Sequence, residues 1–161
     1  SAILVMYYLR KKKKKEKPIP LFDSEKVKVK RKTDYVAKLD KVFSEYIRLR
    51  DAMPNGYFIC ISCVKMKPYR QADCGHYHSR RHMATRFDED NCNSECRGCN
   101  RFSADHLIGY REHLIRKIGE ERFELLNWKA HQMKHYSDFE LQELIKYYKA
   151  LVTKLKKEKG V

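Results

Sequence analysis

The sequence lacks any long hydrophobic run, and this absence limits where the protein can reside. The apolar stretch at residues 1–9 is too short to cross a bilayer, which takes about 20 residues. Basic residues at 10–15 follow that stretch, whereas in a secretory signal peptide they would precede it. We therefore predict a chain with no membrane span and no export signal, in a reducing compartment.

The sequence also has too few apolar residues to form a large hydrophobic core. The mean hydropathy is −0.76, and 35% of the 161 residues are charged. A chain of this size predicts one compact domain, or a small domain with helical arms. Because small cores often need a disulfide or a metal to hold them, the six cysteines require an explanation.

Acidic residues are in the minority, with 21 Asp and Glu against 36 Lys and Arg. The resulting net charge of +15 predicts a polyanionic partner, chiefly nucleic acid, bound through its phosphates. The alternative is a highly soluble surface with no such partner. Charge alone carries no information on sequence specificity.

The pattern along the chain predicts an α+β protein that is helical in most of its residues. Residues 1–32, with two lysine-rich blocks, are predicted to form a basic, flexible arm. Residues 33–56 are predicted to form an N-terminal helix and its closing turn, and residues 57–110 a metal-organised core. Residues 111–161 are predicted to form a C-terminal helical region, broken near Gly119.

Two long helices are predicted from apolar stripes at helical spacing, over residues 33–53 and 137–157. The second would begin with a capping box formed by Ser137 and Glu140. Trp128 is predicted to be a core residue. The stripes consist of Val36, Leu39, Val42, Phe43, Tyr46, Ile47 and Leu49, and of Phe139, Leu141, Leu144, Ile145, Tyr148, Leu151, Val152 and Leu155.

Between these helices the sequence predicts short, irregular elements. Residues 56–63 are predicted to form a strand that ends in a tight turn, and residues 67–81 a hairpin. Residues 90–100 are predicted to form a loop and the first turn of a helix.

Two pairs of cysteines, each with two intervening residues, predict a structural zinc site. They are Cys60 with Cys63 and Cys96 with Cys99. Zinc takes four thiolates in a tetrahedron, and such a tight turn presents two sulfurs to one ion. A thioredoxin-like redox motif is the alternative, but it needs only one pair. A closed four-cysteine site has no open position, so this zinc would hold the fold rather than catalyse.

Cys74 and Cys92 remain outside those pairs. We predict that both are buried, small apolar residues. The alternative is that Cys74 replaces one of the four zinc ligands.

His76, Asn91 and Asn100 lie between or directly behind the cysteine pairs and predict phosphodiester hydrolysis. A neutral imidazole held by a neighbouring amide or carbonyl can activate water. A hard divalent cation with oxygen or imidazole ligands can balance charge on the phosphate.

This order of residues resembles the zinc-knuckle form of the HNH (ββα-metal, treble-clef-like) nucleases. The resemblance implies that His76 is the general base, that Asn91 orients it and pins the loop, and that Asn100 binds a catalytic Mg²⁺ or Mn²⁺. It also implies a small ββα core over the four-cysteine zinc, flanked by helices.

A longer resemblance links the sequence to the NinG (Rap) phage recombination proteins. It covers most of residues 34–160, including CISC at 60–63, QADCGHYHSRRHMATRFDEDN at 71–91 and CRGCNRFSADHL at 96–107. It implies a structure-selective DNA endonuclease for Holliday junctions and D-loops, in the cytoplasm of a phage-infected bacterium. A non-catalytic zinc protein that binds DNA is the alternative. A homodimer would suit two symmetric cuts, although the apolar stripes do not establish one.

One position departs from the HNH pattern. Many HNH sites carry Asp or His just before the base, as the first metal ligand, and here that residue is Gly75. Asp73, His78 or His106 could supply the missing ligand, and Asp105 could supply a nearby acidic oxygen.

Three arginines follow the predicted base. Arg80 is predicted to bind phosphate, because its guanidinium suits phosphate oxygens. For Arg81 and Arg86 a phosphate role and a network with Asp88, Glu89 and Asp90 remain equal alternatives.

Overall fold

Helices account for most of the residues that a computed structural model describes, residues 33–160. The arm predicted at residues 1–32 lies outside this range. A short 3-10 turn, Tyr69–Gln71, precedes the third strand. The elements of the described range are α1 (Tyr35–Asp51), β1 (Tyr57–Ile59), β2 (Met66–Pro68), β3 (Ala72–His76), β4 (Cys92–Cys96), α2 (Arg97–Phe102), α3 (His106–Ile118), α4 (Glu120–Ala130) and α5 (Asp138–Lys159).

The first and last helices begin as the sequence predicts and pack against each other. The Asp34 carboxylate caps α1 by accepting a hydrogen bond from the Ala37 N–H at 2.9 Å. Ser137 and Glu140 form the predicted capping box at the start of α5. The rings of Phe43 and Tyr148 meet edge to face with centroids 4.9 Å apart. This contact lies in the larger hydrophobic core, which α1 and α5 share with β3 and β4.

The central helical region divides at Gly119, as predicted. This glycine has a φ of 84°, in the left-handed region, and it separates α3 from α4. Tyr110 and Leu114 of α3 pack with Phe123 and Leu126 of α4 in a second apolar cluster.

Trp128, which was predicted to be a core residue, is exposed, and so is Phe139 of the second predicted stripe. Trp128 is 61% exposed and Phe139 is 71% exposed. Each lies two residues from a buried leucine, Leu126 or Leu141, and two residues turn a helix by about 200°. Both side chains therefore point away from the face that their helix buries.

The strands pair differently from the prediction. The segment at 67–81 does not form its own hairpin: β2 pairs back with β1, and β3 pairs with β4 across a long loop. Residues 92–96 are a strand rather than a loop, and all five are buried. Asn93, Ser94 and Glu95 are polar, so no hydrophobic pattern marks this strand in the sequence. The chain thus runs strand, strand, helix through β3, β4 and α2.

No helix within residues 33–160 combines the length and apolar character that a bilayer crossing requires.

Helix α3 comes very close to the turn that carries Cys60 and Cys63. A Cβ atom at Gly109 would overlap the carbonyl oxygen of Ser62. Glycine at this position lets the helix backbone lie directly against the turn.

Gly109→Ala is expected to lower the free energy of unfolding by about 1–3 kcal/mol, because the added methyl forces the helix and the turn apart. The measurement is urea denaturation of the zinc-loaded protein. Gly98→Ala is the control, since its Cβ would meet nothing nearer than the Cys96 sulfur at 3.9 Å. Equal stability of the two variants would contradict the proposed close contact.

Candidate metal centre and catalytic site

Four cysteine sulfurs converge at the end of β1 and the start of α2, as predicted. The ligand atoms of Cys60, Cys63, Cys96 and Cys99 all lie within 4.8 Å of one another. The Cys63 and Cys96 sulfurs are 3.9 Å apart. Zinc–sulfur bonds of about 2.3 Å place tetrahedral sulfurs about 3.8 Å apart. The cluster therefore has the size and chemistry to hold a metal ion such as zinc.

The backbone around the cluster favours bound thiolates. The Cys96 N–H donates to the Cys60 sulfur at 3.3 Å, and Cys60 is fully buried. Burial raises the pKa of the Cys60 thiol to about 11, so at neutral pH it keeps its proton unless a cation replaces it.

His76 ends β3 with a half-buried imidazole that lies between two carbonyl oxygens. Its Nδ1 is 3.3 Å from the Cys74 oxygen and its Nε2 is 3.2 Å from the Arg86 oxygen. Burial, followed by the nearby Arg80 charge, lowers the pKa of His76. The neutral ring has one N–H, so it can donate to only one of the two carbonyls.

Asn91 is fully buried and ties together the loop between β3 and β4. Its Oδ1 accepts from the His78 N–H at 2.7 Å, and its Nδ2 donates to the carbonyls of His78 and Thr85 at 3.0 and 2.9 Å. These bonds go to loop backbone rather than to the imidazole of His76. Asn91 fixes the loop that follows His76.

A polar cavity of about 200 Å³ gathers three of the predicted site residues, Asp73, Arg80 and Asn100. The Asn100 Nδ2 donates to the Asp73 carboxylate at 3.2 Å. Arg101 donates two further bonds to the same carboxylate, at 2.7 and 2.9 Å. This guanidinium and the Asn100 amide lower the pKa of Asp73, which therefore carries its negative charge. The cavity is lined by Ser44, Arg48, Ala72, Asp73, Cys74, Arg80, Asn100 and Arg101.

The other candidate ligands lie elsewhere. His78 contacts the Asn127 side-chain oxygen through Nε2 at 3.0 Å, and His106 contacts Glu95 through Nδ1 at 2.7 Å. Asp105 is exposed at the start of α3. Of the three candidates for the missing ligand, only Asp73 lies beside Asn100.

Glu95 is a charged residue that sequence reasoning missed. It is fully buried, and its Oε1 accepts from the Ser62 hydroxyl at 2.5 Å and contacts His106. Its Oε2 has no hydrogen-bond partner in the described part of the chain. A Cβ at Gly75 would overlap this oxygen, which gives a structural reason for glycine at that position. Nothing in the sequence around Glu95 indicates a buried carboxylate.

Of the three arginines that follow His76, one forms an ion pair and two are exposed without one in the described part of the chain. Arg86 pairs with Asp40 of α1, its Nε donating at 3.0 Å, rather than with residues 88–90. The carboxylates at 88, 89 and 90 pair with Lys129, Arg50 and Arg122. Arg80 and Arg81 are exposed and form no ion pair within residues 33–160.

These features define a mostly helical α+β protein with a four-cysteine cluster that could hold a metal ion such as zinc. The family model described as "Bacteriophage Lambda NinG protein" matches residues 7–158, and the chain belongs to this family.

Curated proteins named "Protein ninG" are similar over part of their length. The chain is 33% identical to that of Escherichia phage 933W over 98 residues, 60% of this chain and 46% of the relative. It is 32% identical to that of Escherichia phage lambda over 98 residues, 60% and 45% of the two chains. It is 32% identical to the protein of Salmonella phage P22 over 96 residues, which are 58% of this chain and 44% of the relative. The matches thus span less than half of each relative. No solved structure matches the chain.

Cys63→Ser is expected to lose the zinc ion held by the four-cysteine cluster and to lower the thermal midpoint of unfolding, because structural zinc contributes folding free energy directly. The measurements are zinc content after dialysis and thermal denaturation followed by circular dichroism. Lys65→Ser, an exposed change beside the same turn, is the control and should keep as much zinc as the wild type. A Cys63→Ser protein with unchanged zinc and stability would contradict the four-cysteine centre.

Proposed function

We propose that this protein is a metal-dependent endonuclease that hydrolyses phosphodiester bonds in branched DNA, such as Holliday junctions and D-loops. The observation that carries the proposal is the cavity in which Asp73, Asn100 and Arg80 meet. The charge of Arg80 also acts on His76. Membership of the NinG family supports it, as does the strand–strand–helix order of β3, β4 and α2.

His76 is the proposed general base. We assign its N–H to Nδ1, which donates to the Cys74 carbonyl, so that Nε2 keeps the lone pair. The Arg86 carbonyl oxygen lies 3.2 Å from Nε2, so it must move aside before water can reach this lone pair and give up a proton. The lowered pKa keeps the ring neutral at neutral pH, the form that a base requires. Asn91 acts as a positioning residue by holding the loop behind His76.

Asp73 and Asn100 are the proposed ligands of a catalytic divalent cation. Mg²⁺ or Mn²⁺ prefers oxygen ligands and would offset the charge that develops on the phosphate. The cation would compete with Arg101 for the Asp73 carboxylate, because Arg101 now holds both of its oxygens.

Arg80 is the proposed phosphate ligand. Its guanidinium is free of ion pairs within the described residues and lines the cavity. With a net charge of +15, phosphate contacts would provide much of the affinity for DNA. Two copies of the protein would provide the two cuts that a four-way junction needs, in the cytoplasm of a phage-infected cell.

His76→Ala is expected to slow cleavage of a labelled four-way junction in Mg²⁺ or Mn²⁺ by about 10²–10⁴-fold, which is the usual contribution of a general base. Binding of the junction should be unchanged. His135→Ala, an exposed change between α4 and α5, is the matched control and should cleave like the wild type. Linear duplex serves as the control substrate.

A wild-type protein that binds junctions tightly and never cuts with either ion would overturn the catalytic proposal. It would leave a zinc-containing DNA-binding accessory protein in its place.

Changes around Asp73 are expected to shift the Mg²⁺ requirement in opposite directions. Asp73→Asn should raise the Mg²⁺ concentration for half-maximal cleavage about tenfold or more, equivalent to about 1.4 kcal/mol of lost ion binding. Arg101→Gln should lower it, because the guanidinium no longer competes for the carboxylate. The measurement is the Mg²⁺ dependence of cleavage at saturating DNA. An unchanged Mg²⁺ dependence in both variants would place the cation elsewhere.

A further inference from the structure

Two cysteines outside the four-cysteine cluster lie next to His76, the candidate general base. Cys74 and His76 are two residues apart on β3, so their side chains lie on one face of the strand. Cys92 of β4 lies directly opposite His76 in the antiparallel register. The ligand atoms of these three residues all lie within 4.8 Å of one another.

The geometry points to a common centre for the three ligand atoms. The Nε2 of His76 is 3.2 Å from the Arg86 carbonyl oxygen, and the sulfur of Cys92 is 3.7 Å from the same oxygen. The sulfurs of Cys74 and Cys92 lie within 4.8 Å of each other. Two sulfurs, one imidazole nitrogen and one carbonyl oxygen therefore surround a single small volume.

We propose that Cys74, His76 and Cys92 form a second metal site, which binds a soft divalent cation such as Zn²⁺. Two thiolates and an imidazole are preferred zinc ligands, and three protein ligands leave one position open toward the Arg86 carbonyl. Both thiols release their protons to solvent when the ion binds. The pair of thiolates neutralises the charge of the ion within an apolar environment.

The surroundings of this cluster suit such an ion. Cys92 is fully buried and Cys74 is 5% exposed, which limits competition from water. Cys74 also lines the polar cavity that contains Asp73 and Asn100, so the cavity provides a route for the ion. Metal binding at this second site would not disturb the four-cysteine cluster, because the two clusters share no residue.

Cobalt binding tests the site without DNA. In a reducing phosphine buffer, Co²⁺ titration of the full chain should saturate at two equivalents, with charge-transfer absorption from all six thiolates. Cys92→Ser should saturate at one equivalent, with four thiolates bound. A wild type that saturates at one equivalent, with absorption equal to that of Cys92→Ser, would overturn the proposal.

His76→Asn provides a second variant if Cys92→Ser fails to fold. It keeps all six cysteines and should weaken only the second equivalent of Co²⁺, by more than the roughly 10–100-fold lost with an outer-shell partner. His135→Asn is the control and should bind two equivalents like the wild type. If His76→Asn binds both equivalents as tightly as the control does, then His76 is not a ligand and the proposed site is wrong.

The site has a consequence for catalysis that rests on the proposed function. An ion on His76 would occupy the nitrogen that takes the proton from water. Zinc beyond the first equivalent should therefore inhibit junction cleavage by the wild type at saturating Mg²⁺ and spare Cys92→Ser. If the wild type never cuts DNA, the cobalt titration still decides the metal site. If Co²⁺ fills two sites while zinc inhibits both proteins equally, the link to catalysis is wrong.

Discussion

The convergence of four cysteine sulfurs is the constraint on which the rest of the structure depends. Four thiolates within 4.8 Å of one another repel, and a divalent cation removes that repulsion. Their positions fix the turn after β1, the end of β4 and the first residues of α2 relative to one another. Since β3 pairs with β4, the same constraint places His76 and Asp73.

A network of polar contacts connects β4 to helix α1. Arg50 of α1 donates to the Cys92 and Glu89 carbonyls at 2.9 and 3.1 Å, and Asp51 accepts from the Ser94 N–H at 2.7 Å. Burial alone would lower the pKa of Arg50 and raise that of Asp51, but their mutual pairing reverses both shifts. Removing one member of such a buried pair typically costs about 3–5 kcal/mol, because the other charge remains without compensation. Strand β4, which ends at Cys96 of the four-cysteine cluster, is thus tied to α1 by charge as well as by apolar contact.

Sequence reasoning located the parts of the site that local patterns encode. The spacing of the cysteine pairs, the capping box at Ser137 and the break at Gly119 each depend on a few neighbouring residues. The assignments that failed or were missed depend on pairing between distant segments. Strand β4 is buried yet polar, so its burial follows from partners such as Arg50 that lie over 40 positions away.

The same limit applies to the faces of helices and to the second thiol cluster. The sequence shows that Trp128 and Phe139 are large and apolar, but only packing decides that their helices bury the opposite face. Cys74 and Cys92 look like isolated core residues until the register of β3 and β4 places both beside His76.

The contacts of Lys159 determine when this fold can be completed during synthesis. Its ammonium donates to the carbonyls of Leu49 and Arg50, at the end of α1, at 2.6 and 3.1 Å. These two residues lie 110 and 109 positions before Lys159 in the sequence. Contacts between residues so distant in sequence slow folding. The cysteine centre closes within 40 residues, from Cys60 to Cys99, and can form while α5 is still on the ribosome. The nascent chain would therefore close the four-cysteine cluster first and cover the apolar face of α1 last.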